Sequence, residues 1–118
     1  MDLSELPEPL RARIAERDAR TPVEKVRAFL RGYVADSDGP DEIRGALQRT
    51  ARTNTRYLRQ DLAAMELVLA EPHTPGTLLR LVVGDGNWDL DRNPTDAEAA
   101  AVLGELAEML RTVIDDAA

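Results

Sequence analysis

The sequence predicts an all-α fold, an antiparallel bundle of four to five helices with one long central helix and a long C-terminal helix. Apolar residues make up 43% of the 118 residues but aromatic residues only 3%, so the core must be built from Leu, Val, Ala and Met, which suit helices better than a pleated sheet. Apolar residues also recur at three- and four-residue spacing, between Pro, Gly and Thr residues of the kind that begin and end helices. The length and the short loops predict a single domain, residues 1–118.

The N-terminal half begins with two short helices. Leucine and isoleucine at four-residue intervals predict a helix over about residues 8–19. In the sequence TPVEKVRAFLRGYVAD, Thr21 is an N-cap residue, Pro22 fits the first helical position, and Glu24 completes a capping box. The apolar stripe that follows predicts a helix over residues 22–35, which ends at the sequence SDGP.

The long central helix is predicted from the proline-free stretch of residues 41–70. If it were unbroken, it would extend roughly 45 Å at about 1.5 Å per residue. Its weak point is the sequence RTNT at residues 52–55, where Thr and Asn compete for backbone hydrogen bonds and could bend or break the helix. Its apolar side is formed by Ile43, Leu47, Ala51, Leu58, Leu62, Met65 and Leu69.

The C-terminal half predicts a short buried helix and then the long terminal helix. The apolar run within residues 75–84 would also fit a strand, but no partner strand is predicted elsewhere, so a helix started by Thr74 and Pro75 is favoured. Thr95 and Glu98 form a second predicted capping box. The terminal helix then carries a continuous apolar stripe of Ala99, Val102, Leu103, Leu106, Leu110, Val113 and Ile114.

The composition excludes several classes of protein. There is no cysteine, which excludes disulfides, a thiolate nucleophile and a cysteine-ligated zinc site. The first ten residues, MDLSELPEPL, are acidic and proline-rich and do not predict a secretory signal. No apolar run is long enough to span a bilayer. We therefore expect a cytoplasmic protein without a membrane partner.

The net charge of −7 is unevenly distributed, because residues 43–60 carry five Arg and no acid between two acidic flanks. Spacings of three, four and three would place four of these on one helical face, namely Arg49, Arg52, Arg56 and Arg59. Such a face could bind the phosphates of a nucleic acid. The pI near 4.7 and the lack of a recognition module favour instead a solvated face that pairs with acids of neighbouring helices, such as Glu105 and Glu108.

The sequence DGNWDLDRNPTD at residues 85–96 resembles a calcium-binding loop of the helix–loop–helix type. Such a loop needs side-chain oxygens at positions 1, 3 and 5, a Gly at position 6 and an acid at position 12. The oxygen-bearing positions 1, 3, 5, 9 and 12 would be Asp85, Asn87, Asp89, Asn93 and Asp96.

Two residues argue against a calcium site in this loop. Position 6 is Leu90, where a sharp turn normally needs Gly, and position 8 is Arg92, a cation beside the proposed ion. A polar turn explains the same residues: Trp88 and Leu90 turn inward to the core, and Asp96 lies in the first turn of the last helix. We therefore predict no metal and keep calcium binding as the alternative.

No catalytic residues are predicted. His73, the only histidine, lies between two prolines in a turn, with no nucleophile or acid in a catalytic arrangement beside it. A lone acid such as Asp61 or Glu66 could in principle form a catalytic pair with another carboxylate, but nothing in the spacing selects either of them. The sequence thus predicts a non-enzymatic protein that needs no cofactor.

Residues 57–114 resemble small actinobacterial immunity proteins of contact-dependent growth inhibition and related polymorphic toxin systems. The resemblance rests on YLRQDLAAMELVLAEP and on LLRLVVGDGNWDLDRNPTDAEAAAVLGELAEMLRTVI. The shared features are a helix that ends in Ala-Glu-Pro, a loop with the pattern NW-x-L, and D-x-x-P-[ST]-D at the start of a terminal helix.

This resemblance implies a protein that neutralises a cognate toxin domain by tight binding. An acidic inhibitor suits the basic surface of a nuclease, because complementary potentials steer the two together. Besides calcium binding by the loop, nucleic-acid binding and self-association through the long helix remain the alternatives. The expected docking residues are those of the acidic loop and of the last helix, with an aromatic anchor: Asp85, Asp89, Asp91, Asp96, Glu98, Glu105, Glu108 and Trp88.

Overall fold

The computed structural model describes residues 7–90 and 92–118, and every regular element in this part of the chain is a helix. Two helices continue without a break as wider π-helical turns, α2 through Leu30–Val34 and α5 through Arg80–Asp85. The all-α fold and the long C-terminal helix are thus confirmed. In chain order the helices are α1 Glu8–Asp18, α2 Pro22–Phe29, α3 Pro40–Thr53, α4 Arg56–Ala70, α5 Thr77–Leu79 and α6 Asp96–Ala117.

The predicted helix starts at Thr21 and Thr95 are both found. At the start of α2 the capping box is complete, since the Thr21 hydroxyl accepts from the Glu24 N–H and the Glu24 carboxylate accepts from the Thr21 N–H, both at 3.2 Å. At the start of α6 the Thr95 hydroxyl accepts from the Glu98 N–H at 3.2 Å. The return bond of the second predicted box is not formed between these two described residues.

The single long central helix is the part of the predicted fold that needs correction. The chain leaves the helical conformation at Asn54, with φ −170° and ψ 136°, and α4 begins two residues later. The Asn54 side-chain oxygen accepts from the backbone N–H of Arg56 at 2.6 Å, so a local side-chain bond replaces the helical ladder. The described chain consequently has six helices instead of the four to five that were predicted.

Helix α6 organises the core. It packs against α3, α4 and α5, while α2 packs against the other side of α4. Leu103 and Leu110 of α6 have no solvent exposure, and Ile43 and Leu47 of α3 are equally inaccessible. Because three helices pack against α6, its apolar stripe contributes to all three of these helix interfaces.

Helix α1 is attached by polar contacts near its C-terminal end and buries no residue. Asp18 accepts from the Arg56 guanidinium at 2.6 Å and from the Gln60 amide at 3.0 Å. The Arg17 guanidinium lies 3.9 Å from the ring centroid of Tyr57, a cation–π contact. Helix α1 is therefore held against α4 by its last turn.

The segment after His73 is helical, as the sequence favoured. Within residues 77–85 the chain forms α5 and its π-helical turn, and Gly86 follows with its N–H donating to the Leu81 carbonyl at 2.9 Å. No helix among residues 7–90 and 92–118 is both long enough and apolar enough to cross a membrane.

Gly86→Ala is expected to lower the free energy of unfolding by about 1–3 kcal/mol. A Cβ at this position would lie 2.6 Å from the Val82 carbonyl oxygen and 3.4 Å from Leu30 Cδ2, so the backbone of the turn would have to move. Gly84→Ala in the same turn is the matched control, because nothing lies within 4 Å of its added Cβ. Urea unfolding of both variants measures the loss in free energy of unfolding, and equal losses in the two variants would contradict the prediction.

Candidate functional site

The π-helical turn that follows α5 is held to α2 by an ion-pair cluster at its last residue, Asp85. One carboxylate oxygen of Asp85 accepts from Arg27 Nε at 3.3 Å, and the other accepts from Arg31 at 2.8 Å. The two arginines are four residues apart and so project from the same side of the helix formed by α2 and its π turn. The Asp85 side chain is only 14% exposed, which makes it a structural contact between α5 and α2 more than a free docking group.

Asp96 serves as the N-terminal cap of α5. Its two carboxylate oxygens accept from the backbone N–H groups of Gly76 at 2.7 Å and Leu79 at 3.0 Å, and these bonds lower the pKa of the carboxyl. The sequence placed this cap at Thr74 and Pro75, and that placement was wrong: the N-cap residue is Gly76, which adopts a left-handed conformation with φ 89°. The capping group comes from 20 residues further along the chain.

The first and last oxygen ligands of the calcium-loop interpretation thus already bind donors of the protein. Within the described residues, no group of three or more His, Asp or Glu side chains is arranged to hold a metal ion. Trp88 and Leu90 are half-buried against the core, as the polar-turn interpretation predicted, and Asp89 is exposed. Asp91, also expected at the docking surface, lies outside the described residues.

Adding calcium at about 5 mM is expected to leave the thermal midpoint of the chain unchanged. A ligand that binds only the folded state raises stability by RT ln(1 + [L]/Kd), which becomes measurable once the concentration exceeds the Kd. Differential scanning calorimetry with calcium, and with magnesium as the control, checks this. A thermal midpoint that rises with calcium but not with magnesium would support the calcium interpretation, provided that the rise is lost in Asp89→Asn.

Five acids share one side of α6, which we call the acidic face of α6: Glu98, Glu105, Glu108, Asp115 and Asp116. At 100° per residue they fall within about 100° of arc and extend about 27 Å along the helix. All are exposed except Glu98, which is half-exposed. Only the Glu108 side chain has a partner among the described residues, Arg111, which also binds Glu66. The fold therefore makes little use of these acids.

A groove borders this face, which we call the α3–α6 groove. Its volume is about 400 Å³, and it is lined by Pro40, Arg44, Glu105, Glu108, Met109 and Thr112. Pro40 and Met109 give it apolar surface between the two glutamates of α6 and Arg44 of α3. The Arg44 guanidinium lies 3.5 Å from Asp41 on its own helix, so it does not neutralise the glutamates by direct pairing.

The predicted arginine face is divided by the break at Asn54. Arg49 and Arg52 lie exposed on α3, while Arg56 and Arg59 belong to α4. Arg56 binds Asp18 of α1, and Arg59 Nε donates to the Thr55 hydroxyl at 3.2 Å. The premise of one continuous helical face was wrong, and so was the expected pairing with α6, since in the described chain Glu108 binds Arg111 and Glu105 has no bonded partner.

A second candidate site, unrecognised from the sequence, is a cavity of about 260 Å³ between α1, α2 and α4. Its charged lining groups are Arg17, Arg20, Lys25 and Asp61, and we call it the Asp61 cavity. Asp61 is 8% exposed and is the buried charged residue of the described core. Burial raises the pKa of its carboxyl to about 6, although the nearby cations lower it in part.

The acid on α4 could have been suspected from the sequence, because Asp61 falls three residues after Leu58 and four before Met65, on the apolar side of that helix. The cations come from α1, α2 and the turn between them, so only the fold brings them to Asp61. His73, in contrast, has a structural contact: its Nε2 lies 2.7 Å from the Val68 carbonyl oxygen. The chain matches no family model, no curated protein and no solved structure, so both sites are argued from geometry alone.

Proposed function

We propose that this chain is a non-enzymatic, cytoplasmic immunity protein, which neutralises a toxin domain by binding a basic surface of that domain on the acidic face of α6. The observation that carries the proposal is the pair Glu105 and Glu108 at the edge of the α3–α6 groove. The motifs of residues 57–114 that resemble immunity proteins include α6 as far as Ile114.

The groove fits a lysine or arginine side chain of the partner. The aliphatic stem of such a residue would lie on Pro40 and Met109, and its charged end would reach the two glutamates. Charge-assisted hydrogen bonds to carboxylates are about twice as strong as neutral ones, which favours a guanidinium or ammonium group there. The groove therefore supplies both apolar contact and charge.

The surrounding charge also limits which partners fit. Helix α6 carries six acids and one base, whereas Arg44, Arg49 and Arg52 are exposed on the neighbouring α3. A uniformly basic partner would be repelled along α3, so the matching surface has its positive charge concentrated opposite α6. Like-charge contacts of this kind contribute to specificity as much as the attractive ones do.

The test uses the protein encoded by the reading frame next to the gene for this chain. Expressed alone in a bacterial host it should arrest growth, and co-expression of this chain should restore growth. Charge reversal by Glu105→Lys with Glu108→Lys should weaken binding of the purified toxin domain by about tenfold or more, measured by isothermal titration. Thermal unfolding of the variant verifies that the fold is retained.

The matched control reverses the charge of two glutamates that lie outside α6, by Glu16→Lys with Glu71→Lys. Both are exposed, and neither side chain has a bonded partner among the described residues. This variant changes the net charge by the same amount and should keep full affinity at physiological salt. If the neighbouring protein is harmless, or if this chain does not relieve its toxicity, the proposed function fails. Equal losses of affinity in both variants would remove α6 as the docking site.

A further inference from the structure

The Asp61 cavity combines a buried acid with three cations that the fold leaves largely unpaired. Asp61 is only 8% exposed, and its carboxylate forms no ion pair with another described residue. Arg20 and Lys25 likewise form no ion pair in the described part of the chain. No side-chain oxygen or nitrogen among the described residues is both fully buried and without a hydrogen-bond partner, so the oxygens of Asp61 are reached through the cavity and can accept a hydrogen bond from a ligand there.

The cavity is held in a defined shape by contacts outside it. Asp18 bonds to Arg56 and Gln60, which fixes the end of α1 over α4, and Arg17 is stacked on Tyr57. On the opposite wall, the Tyr33 hydroxyl is bonded to the Thr50 hydroxyl at 2.9 Å. The guanidinium of Arg17 is thus positioned before any ligand arrives, which lowers the entropy lost on binding.

We propose that the Asp61 cavity binds a small phosphate monoester that carries a hydroxyl group. Arg17, Arg20 and Lys25 bind the phosphate, and the Asp61 carboxylate accepts a hydrogen bond from the ligand hydroxyl. The aromatic side chains of Phe29 and Tyr33 form an apolar wall beside the carbon skeleton of the ligand.

The charge of the lining groups selects this class of ligand. Three cations and one carboxylate leave an excess of two positive charges, which a phosphate monoester dianion balances and a monocarboxylate does not. Arginine pairs of this kind bind phosphate oxygens with defined geometry. The volume of about 260 Å³ lies below the roughly 300–1,000 Å³ that is usual for drug-sized ligands, so the ligand must be small.

The Asp61 carboxylate makes the cavity selective for a phosphate ester that carries a hydroxyl group. A phosphate alone would leave Asp61 buried without a donor and would bring a second negative charge close to it. A ligand hydroxyl removes that defect by donating to the carboxylate. A buried acceptor that a ligand fails to satisfy typically weakens binding by tenfold or more. The proposal is independent of the docking of a protein partner on α6.

The experiment is isothermal titration of the full chain with glycerol 3-phosphate, methyl phosphate and inorganic phosphate. Glycerol 3-phosphate should bind saturably with a dissociation constant at or below about 1 mM, and methyl phosphate at least about fivefold more weakly, because it lacks the hydroxyl donor. Lys25→Gln should weaken both esters by about tenfold, since it removes one phosphate contact. Asp61→Leu, which has no hydrogen-bond acceptor, should abolish the preference between the two esters.

Arg49→Gln is the matched control, because Arg49 is exposed on α3 and does not line the cavity. It removes the same charge and should leave both affinities unchanged. No saturable binding of glycerol 3-phosphate up to about 10 mM overturns the proposal. So does an affinity that falls equally in Lys25→Gln and Arg49→Gln, or a preference for glycerol 3-phosphate that persists in Asp61→Leu.

Discussion

At pH 8, Asp61→Asn is expected to raise the free energy of unfolding by up to about 3 kcal/mol relative to the unsubstituted chain. Burial raises the pKa of the Asp61 carboxyl from 3.8 to about 6, so its ionised form is less stable in the folded chain than in the unfolded chain. Arg17, Lys25 and Arg20 lower the pKa and offset part of this penalty. Asparagine has the same shape but carries no charge to desolvate.

The size of this effect depends on pH. Because the folded pKa lies above the unfolded value, the folded chain binds more protons between about pH 4 and pH 6. The penalty is absent below about pH 4 and is fully present above about pH 7, so the two proteins should converge in stability at low pH. Urea unfolding at a series of pH values measures this difference directly.

Asp89→Asn is the control for the pH series, because Asp89 is exposed in the loop after α5. Its stability should follow that of the unsubstituted chain at every pH. An Asp61→Asn variant that is less stable than the unsubstituted chain at pH 8, or a difference that does not change with pH, would show that Asp61 is a stabilising structural ion.

Leu103→Ala is expected to lower the free energy of unfolding by about 3–4 kcal/mol. Leu103 has no solvent exposure and lies on the side of α6 that packs against its neighbouring helices. Truncation removes its buried apolar surface and leaves a cavity that these helices cannot easily close. Urea unfolding with an unchanged slope would attribute the loss to the folded state.

Leu67→Ala makes the same chemical change on the surface. Leu67 belongs to α4 but is 47% exposed, so the change should stay within about 1 kcal/mol. A similar loss in the two variants would contradict the organisation of the core around α6.

The helices that could be predicted are those with local signals. Thr21, Pro22 and Glu24 specify the start of α2 by contacts within four residues, and Thr95 does the same for α6. The break of the central helix was visible only as a weakness of RTNT. Its position at Asn54 depends on a side-chain bond to the Arg56 N–H that competes closely with helix continuation.

The sites were harder to predict because their contacts join distant parts of the chain. Asp85 and Asp96 were both expected to be free for a partner, and both are used within the fold, by arginines 54–58 residues away and by the backbone of α5. A sequence pattern shows that an acidic residue is present, but it does not show which distant group binds it in the fold. Glu105 and Glu108 were expected at the docking surface, and their exposure keeps them available for it.

The proposed docking on α6 is tested most directly by mapping amide chemical-shift changes on the isotope-labelled chain when the unlabelled protein of the neighbouring reading frame, the proposed toxin, is added. We expect the largest changes along the acidic face of α6 and the α3–α6 groove, including Glu105, Glu108 and Met109. Changes confined to residues 85–90 or to the Asp61 cavity, with α6 unaffected, would contradict this docking.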